Sequence, residues 1–220
     1  METLRHDLRR IVSQHMREDP AHDISHLDRV SDNCENIAIS EGGTLSKCLL
    51  AAAYLHDLVN LPKNDANRAS ASKHSAQAAG PLLTKLGFEP EEIARTQHSI
   101  AAHSFSTSVT PETLEARILR DADRLDALGA IGIARCLLVS GNLNRALYDP
   151  NDPFAENRLC NDQLFSMDHW PVKLLRLPDD MLTNTGKMMA RKRVTVMLRF
   201  AHELAGELGT ELPTDWNATT

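Results

Sequence analysis

The sequence predicts an all-α protein, folded as a single-domain helical bundle of 220 residues. Apolar residues recur at three- and four-residue intervals through almost the whole chain, as they do on one face of an amphipathic helix. No stretch shows the sustained alternation of apolar and polar residues that is typical of a strand. Glycine and proline residues separate the periodic segments and mark their ends: Gly42, Gly43, Pro62, Gly87, Pro111, Gly141, Pro150, Pro153, Pro171 and Pro178.

The helical segments follow one another with short interruptions. Leu4, Leu8 and Val12 share a face of the first, and Ile24, Val30 and Ile37 share a face of the second. Residues 46–58 are apolar almost all round, which is typical of a helix at the centre of a bundle. Further helices are predicted over 67–86, 90–102, 111–126, 128–140, 160–176 and 179–208, with a surface loop rich in Asn, Asp and Pro over 141–160.

Composition excludes several classes of protein. The net charge of −6 argues against a nucleic-acid-binding domain, which normally carries a basic face. The longest apolar run, 48–55, is too short to cross a membrane, and the charged N-terminal segment resembles no signal peptide. The four cysteines show no close pairing and are interpreted as reduced thiols. We therefore expect a cytoplasmic protein that binds neither nucleic acid nor membrane, with a homodimer left open.

Histidine is over-represented, with ten residues against nine aromatic ones, and one of these histidines lies where apolar residues are expected. His56 and Asp57 close the most hydrophobic predicted helix. A buried histidine–aspartate pair is costly unless something compensates it. Two interpretations stay open: a core histidine that hydrogen-bonds its neighbour, or a pair of metal ligands.

Two further groups of polar residues lie on apolar helix faces. Asp123 and Asp126 share a helical line with leucine, alanine and isoleucine, so their charges require a cation. Arg124 or a metal ion could supply it, and the spacing does not separate the two aspartates. His26 and Arg29 lie on one face of the second predicted helix, together with His22.

Taken together, His26, His56, Asp57 and one late aspartate offer two imidazoles and two carboxylates from three helices. Such a mixed nitrogen and oxygen set suits Mn²⁺, Fe²⁺, Co²⁺, Ni²⁺ or Zn²⁺ better than Ca²⁺. One cation would compensate all of these buried charges at once. The combination therefore favours a metal site over four separate structural explanations.

The order His26, His56-Asp57, Asp123 resembles the signature of the HD-domain metal-dependent phosphohydrolases, an all-helical superfamily. The sequence segments that flank these residues are more specific and resemble those of the bacterial YpgQ/YedJ branch. They cover nearly the whole chain, so the resemblance implies one HD domain over 1–215, with a core at about 22–140 and C-terminal helices at about 160–208. These segments are HDISHLDRV at 22–30, LHDLVNLPK at 55–63, IAAHSFS at 100–106, LEARILRDADRLDALGAIGIAR at 114–135 and HWPVKLLRLPDDMLTNTGKMMARKR at 169–193.

The resemblance implies a nucleotide pyrophosphohydrolase that cleaves nucleoside triphosphates to monophosphate and pyrophosphate. It implies Mn²⁺ as the cofactor, with Mg²⁺, Co²⁺, Ni²⁺ or Fe²⁺ as alternatives. Carried over by motif, the metal ligands are His26, His56, Asp57 and Asp123, the last because it lies in the word ADRL at 122–125. Asp126 is the second choice for that ligand. A divalent ion lowers the pKa of bound water and neutralises a phosphate oxygen, which is the chemistry that phosphoryl transfer needs.

Other residues are expected to complete the site. Besides Asp57, His98 and His103 are expected to be catalytic, as a general acid or a phosphate contact. Fixed cations must hold the phosphates, because the chain as a whole is acidic. Lys63 is the first candidate, followed by Arg29 and Arg68.

Two alternative functions, each from another class of protein, remain. Some HD-domain proteins resemble di-iron oxygenases that use extra histidines between the HD pair and the last aspartate, and His74, His98 and His103 lie in that interval. A non-catalytic nucleotide-binding module is the second alternative, although all four signature ligands are present. The sequence does not define the base or the sugar of a nucleotide substrate.

Overall fold

The computed structural model describes residues 1–15, 23–59, 70–104, 107–214 and 216, and these residues form helices without a β-strand. The all-α fold class is therefore confirmed. The chain divides into two compact units, Met1–Asp123 and Arg124–Thr220. Within the described ranges no single helix is long and apolar enough to cross a membrane, and one bent pair of helices passes by length and composition only.

The helices follow the order expected from the sequence. They are α1 Glu2–His15, α2 Ile24–Ser40, α3 Lys47–Leu55, α4 Ala71–Lys85, α5 Pro90–His103, α6 Leu114–Leu125, α7 Gly129–Asn142, α8 His169–Val172 and α9 Asn184–Glu207, with a 3₁₀ helix, Leu174–Asp180, between α8 and α9.

The helix predicted over 160–176 is wrong for most of its length. Asp168 is buried, and its carboxylate accepts hydrogen bonds from the Arg158 guanidinium at 2.5 and 2.9 Å and from the backbone N–H of Asn161 at 2.6 Å. These bonds hold the chain before α8 in turns instead of a helix. The last helix also begins later than predicted, because the Thr183 hydroxyl accepts from the N–H of Gly186 and starts α9 at Asn184.

Helix α3 is the centre of the first unit. Residues 48–55 are all buried, and the helix packs against α1, α2, α4 and α5. It begins where the Ser46 hydroxyl accepts from the N–H of Leu49 at 3.1 Å, and it ends at Leu55, directly before His56. A helix buried on all sides therefore leads directly to His56, which is fully buried, and to Asp57, which is half-buried.

Two hydrogen bonds to one carboxylate connect three helices of this unit. The Tyr54 hydroxyl of α3 donates to Asp28 Oδ1 of α2 at 2.7 Å, and Arg9 of α1 donates to Asp28 Oδ2, also at 2.7 Å. Burial and the Asp28 carboxylate raise the pKa of Tyr54 to about 12, so the hydroxyl stays protonated and donates. The group orders α1, α2 and α3 around one carboxylate.

Tyr54→Phe is expected to lower the free energy of unfolding by about 1.5 kcal/mol, because it removes a hydrogen bond to a charged acceptor while Asp28 keeps Arg9. Urea unfolding followed by circular dichroism measures the change. Tyr148→Phe, at the other tyrosine of the chain, is the matched control. An unchanged midpoint for Tyr54→Phe would show that the bond contributes nothing to stability.

The second unit has its own apolar core. Trp170 is fully buried with its ring 5.9 Å from that of Phe200 and 6.4 Å from that of Trp216, and α7 packs against α9. The turn before α7 depends on glycine: Gly129 has φ +72°, and a Cβ at Gly132 would lie 2.2 Å from the carbonyl oxygen of Ala127.

Candidate metal centre

Polar side chains from four helices of the first unit meet beside the end of α3. His26 lies in the first turn of α2, which begins where the Asp23 carboxylate accepts from the N–H of His26 at 3.0 Å. His56 and Asp57 follow α3, His103 is the last residue of α5, and Asp123 lies in the last turn of α6. Three of these helices end, and one begins, at the same place.

Four of these residues are close enough to share one cation. Nε2 of His26 lies 3.6 Å from Asp123 Oδ1 and 4.0 Å from Asp57 Oδ2. Nε2 of His56 lies 3.8 Å from Asp123 Oδ1 and 3.7 Å from Asp57 Oδ2. Ligands about 2.1 Å from a single ion are separated by about 3.0–3.5 Å, so each of these four imidazole–carboxylate distances is within about 1 Å of the spacing around one cation.

His103 approaches from the other side of Asp57. Its Nε2 lies 3.8 Å from Asp57 Oδ1, and its ring stands edge-on to that of His56 with the centroids 4.9 Å apart. His56, Asp57 and His103 form a second group of donors that all lie within 4.8 Å of one another, as His26, His56 and Asp123 do. Asp57 thus presents one oxygen to the His26 and His56 rings and the other to His103.

The orientation of two imidazoles is fixed by backbone carbonyls. Nδ1 of His56 donates to the carbonyl of Ala53 at 2.9 Å, and Nδ1 of His103 donates to that of Ile100 at 2.6 Å. A carbonyl oxygen only accepts, so in the neutral ring the proton is on Nδ1 and the lone pair of Nε2 faces the cluster. This is the arrangement that metal-ligating histidines use.

The environment favours the protonation states that bind cations. Burial works to raise the pKa of Asp123, but the neighbouring His56, His26 and His103 outweigh it and lower the pKa below its ordinary value. Burial, followed by the proximity of His56, lowers the pKa of His103. At neutral pH, Asp123 is therefore an anion and His103 a neutral imidazole.

The residues present fit a divalent cation. Nε2 of His56 is completely buried and has no hydrogen-bond partner among the described residues, although its lone pair points at two carboxylates. A buried acceptor that faces other acceptors needs a proton or a metal between them. Two imidazoles and two carboxylates form a donor set that suits Mn²⁺, Fe²⁺ or Zn²⁺.

Asp126 occupies a different environment from Asp123. It is 1% exposed and accepts from the Arg135 guanidinium at 2.8 Å, so its charge is balanced within the second unit. Arg124 donates to the carbonyl of Asp180 at 2.8 Å. The structure therefore brings Asp123 to His26 and His56, whereas Asp126 pairs with Arg135.

The remaining residues that the sequence singled out lie elsewhere or outside the described ranges. His98 belongs to neither donor group, and its Nε2 accepts from the backbone N–H of Glu112 at 3.1 Å, where it holds the segment before α6. Arg29 is half-buried on α2, one turn after His26. Lys63 and Arg68 lie outside the described residues.

Two contacts around the centre were not found by sequence reasoning. The Ser75 hydroxyl accepts from the backbone N–H of Val59 at 3.0 Å, which holds the turn after the HD pair. The Asn33 side chain donates to the carbonyl of Ala122, next to Asp123. For Asn33 the available signal was an amide seven residues after His26 on a buried helix face.

Comparison with known proteins agrees with this geometry. The family model of the HD domain matches residues 23–128, a range that contains all of the clustered residues. The chain is 32% identical over 195 residues to the protein YpgQ of Bacillus subtilis, which covers 87% of this chain and 86% of that protein. The chain belongs to the HD-domain family, as an HD-superfamily hydrolase homologous to YpgQ.

Solved structures of relatives share the fold. The crystal structure of B. subtilis YpgQ in complex with ADP superposes with a TM-score of 0.73 at 29% identity, covering 93% of this chain and 95% of that one. An HD-superfamily hydrolase from Bacillus thuringiensis superposes with a TM-score of 0.70 at 30% identity, covering 96% of this chain and 97% of that one. The similarity therefore extends over both units of the chain.

Proposed function

We propose that this chain is a Mn²⁺-dependent nucleotide pyrophosphohydrolase, which cleaves a nucleoside triphosphate to monophosphate and pyrophosphate. The observation that carries the proposal is the cluster in which Nε2 of each of two buried imidazoles lies within 4.0 Å of an oxygen of each of two half-buried carboxylates. The complex of the homologous YpgQ with ADP supports a nucleotide as the substrate class.

His26, His56, Asp57 and Asp123 would hold the ion. When bound, a divalent cation lowers the pKa of a coordinated water and neutralises charge on a phosphate oxygen. The carbonyls of Ala53 and Ile100 keep the rings of His56 and His103 in the tautomer that leaves Nε2 free of a proton. The chain thus supplies preoriented lone pairs, which do not have to reorganise during the reaction.

For His103, the sequence suggested a general acid or a phosphate contact, and we propose a role as an acceptor instead. Burial lowers the pKa of His103, and the bond to Ile100 places the proton of the neutral ring on Nδ1, which supports a free lone pair on Nε2. We assign His103 Nε2 as the acceptor that orients the attacking water beside Asp57. Among the described residues, no contact between His98 and the cluster supports a catalytic role for it.

The substrate contacts rest on the sequence. Arg29, Lys63 and Arg68 are proposed to hold the phosphates, with Lys63 and Arg68 outside the described residues. The cytoplasmic location, the lack of a nucleic-acid partner and a homodimer also stay predictions from the sequence.

The di-iron oxygenase is less well supported. It would need additional histidine ligands, but among the described residues only His103 of the three candidates lies at the cluster. His74 is exposed on α4, and His98 is bound to Glu112. A non-catalytic module has no need for a complete ligand set with a neutral third imidazole.

Product identification by phosphorus NMR tests the proposal. A nucleoside triphosphate incubated with the protein and Mn²⁺ should yield monophosphate and pyrophosphate, and chelation of the metal should stop the reaction. Diphosphate with orthophosphate, or turnover of monophosphates alone, would contradict the proposal. A panel of bases and sugars in the same assay identifies the preferred nucleotide.

A further inference from the structure

A buried amide connects the helix of His26 to the helix of Asp123. Nδ2 of Asn33, in α2, donates to the carbonyl oxygen of Ala122, in α6, at 3.2 Å. Asn33 is 5% exposed and Ala122 is fully buried. The two residues are 89 positions apart in the sequence, so the bond is a tertiary contact.

The acceptor lies in the last turn of α6, beside Asp123. Ala122 is the fourth residue from the end of this helix, which ends at Leu125. A carbonyl oxygen has two lone pairs, so that of Ala122 can accept from the Asn33 amide as well as from a helical N–H. The bond from Asn33 is therefore an added constraint on this turn from another helix.

The bond fixes the backbone of Asp123 in particular. The carbonyl of Ala122 belongs to the same planar peptide group as the backbone nitrogen of Asp123. Holding that oxygen therefore holds the peptide plane from which the Asp123 side chain departs. The donor is on α2, seven residues and about two turns after His26, so both side chains lie on one helix face.

We propose that Asn33 is a positioning residue of the metal centre, which sets the separation between His26 Nε2 and the Asp123 carboxylate. That separation is 3.6 Å. One helix then carries the first ligand and holds the backbone of the last. The inference rests on the proposed function, because it requires that these residues hold a metal ion.

The test measures Mn²⁺ binding without substrate. Mn²⁺ is titrated into metal-free protein and the free ion is followed by electron paramagnetic resonance, with Asn33→Leu as the main variant because leucine keeps the volume and removes the donor. Loss of such an outer hydrogen bond is expected to weaken Mn²⁺ binding by ~10- to 100-fold. The line shape of the bound Mn²⁺ should change as well, which a loss of stability alone would not cause.

Two further variants keep the test decisive. Asn33→Ala is smaller and serves if Asn33→Leu does not fold, as checked by thermal unfolding. Ser31→Ala removes another buried polar group of α2, whose hydroxyl has no hydrogen-bond partner among the described residues, and should leave Mn²⁺ affinity unchanged.

The outcomes separate this inference from the proposed function. Folded Asn33 variants that bind Mn²⁺ as the wild type does, while Asp123→Asn does not bind it, would overturn the positioning role and leave the metal centre standing. A wild-type protein that binds no Mn²⁺ would overturn both. Weaker binding and an altered line shape in the Asn33 variants, with Ser31→Ala unchanged, support the inference.

Discussion

His56→Ala is expected to abolish Mn²⁺-dependent hydrolysis and to remove the metal from the purified protein. His56 is the fully buried member of the cluster, and its Nε2 faces both Asp57 and Asp123 at 3.7 and 3.8 Å. Removing it leaves the two carboxylates without the imidazole between them. We expect a loss of at least about 10³-fold in turnover, as for a member of a catalytic unit whose parts act together.

Metal content by mass spectrometry and turnover of a nucleoside triphosphate measure the effect. Asp57→Ala should behave in the same way, because its carboxylate faces all three imidazoles. His74→Ala is the matched control: it removes an exposed histidine of α4 and should keep metal and activity. Full activity with full metal occupancy in His56→Ala would contradict the proposed function. Loss of activity in His74→Ala would favour the di-iron oxygenase instead.

Asp123→Asn and Asp126→Asn are expected to have different defects, the first in metal binding and the second in stability. Asp123→Asn should lose metal and activity, because a carboxamide carries no charge and is a weaker ligand than a carboxylate. Asp126→Asn should keep the metal but lower the free energy of unfolding by about 3 kcal/mol, because it removes the charge from a buried pair with Arg135. The two variants differ from the wild type by the same chemical change, three residues apart.

Urea unfolding and metal content are measured for both variants. The expected pattern is a metal defect in one and a stability defect in the other. If Asp126→Asn loses the metal and Asp123→Asn retains it, the ligand assignment is reversed. If both variants lose only stability, neither aspartate binds metal.

The sequence predicted the helices whose apolar periodicity is strong. Helix α3 was expected from its apolar surface, because a helix at the centre of a bundle has no face that meets water. The predicted helix over 160–176 was wrong because the chain there is held by the buried Asp168 and its bonds to Arg158 and Asn161. Periodicity measures burial along one element and carries no information about such a network.

The candidate site could be predicted only in part from the spacing of residues in the sequence. Asp123 and Asp126 share a helical line in the sequence, but α6 ends at Leu125, between them, so helical spacing no longer applies to Asp126. The motif resemblance favoured Asp123, and the distances to His26 and His56 agree with that choice. The hydrogen bond from Asn33 to the Ala122 carbonyl could not be predicted from the sequence, because only the tertiary fold brings these residues together.

The most direct test of the metal centre is a crystal structure of the Mn²⁺-loaded protein with anomalous scattering measured at the manganese absorption edge. We predict one anomalous peak, bound by Nε2 of His26, Nε2 of His56 and the carboxylates of Asp57 and Asp123, at about 2.0–2.3 Å from each. A peak bound elsewhere, a set of ligands that includes Asp126 in place of Asp123, or no peak at full Mn²⁺ loading would contradict it.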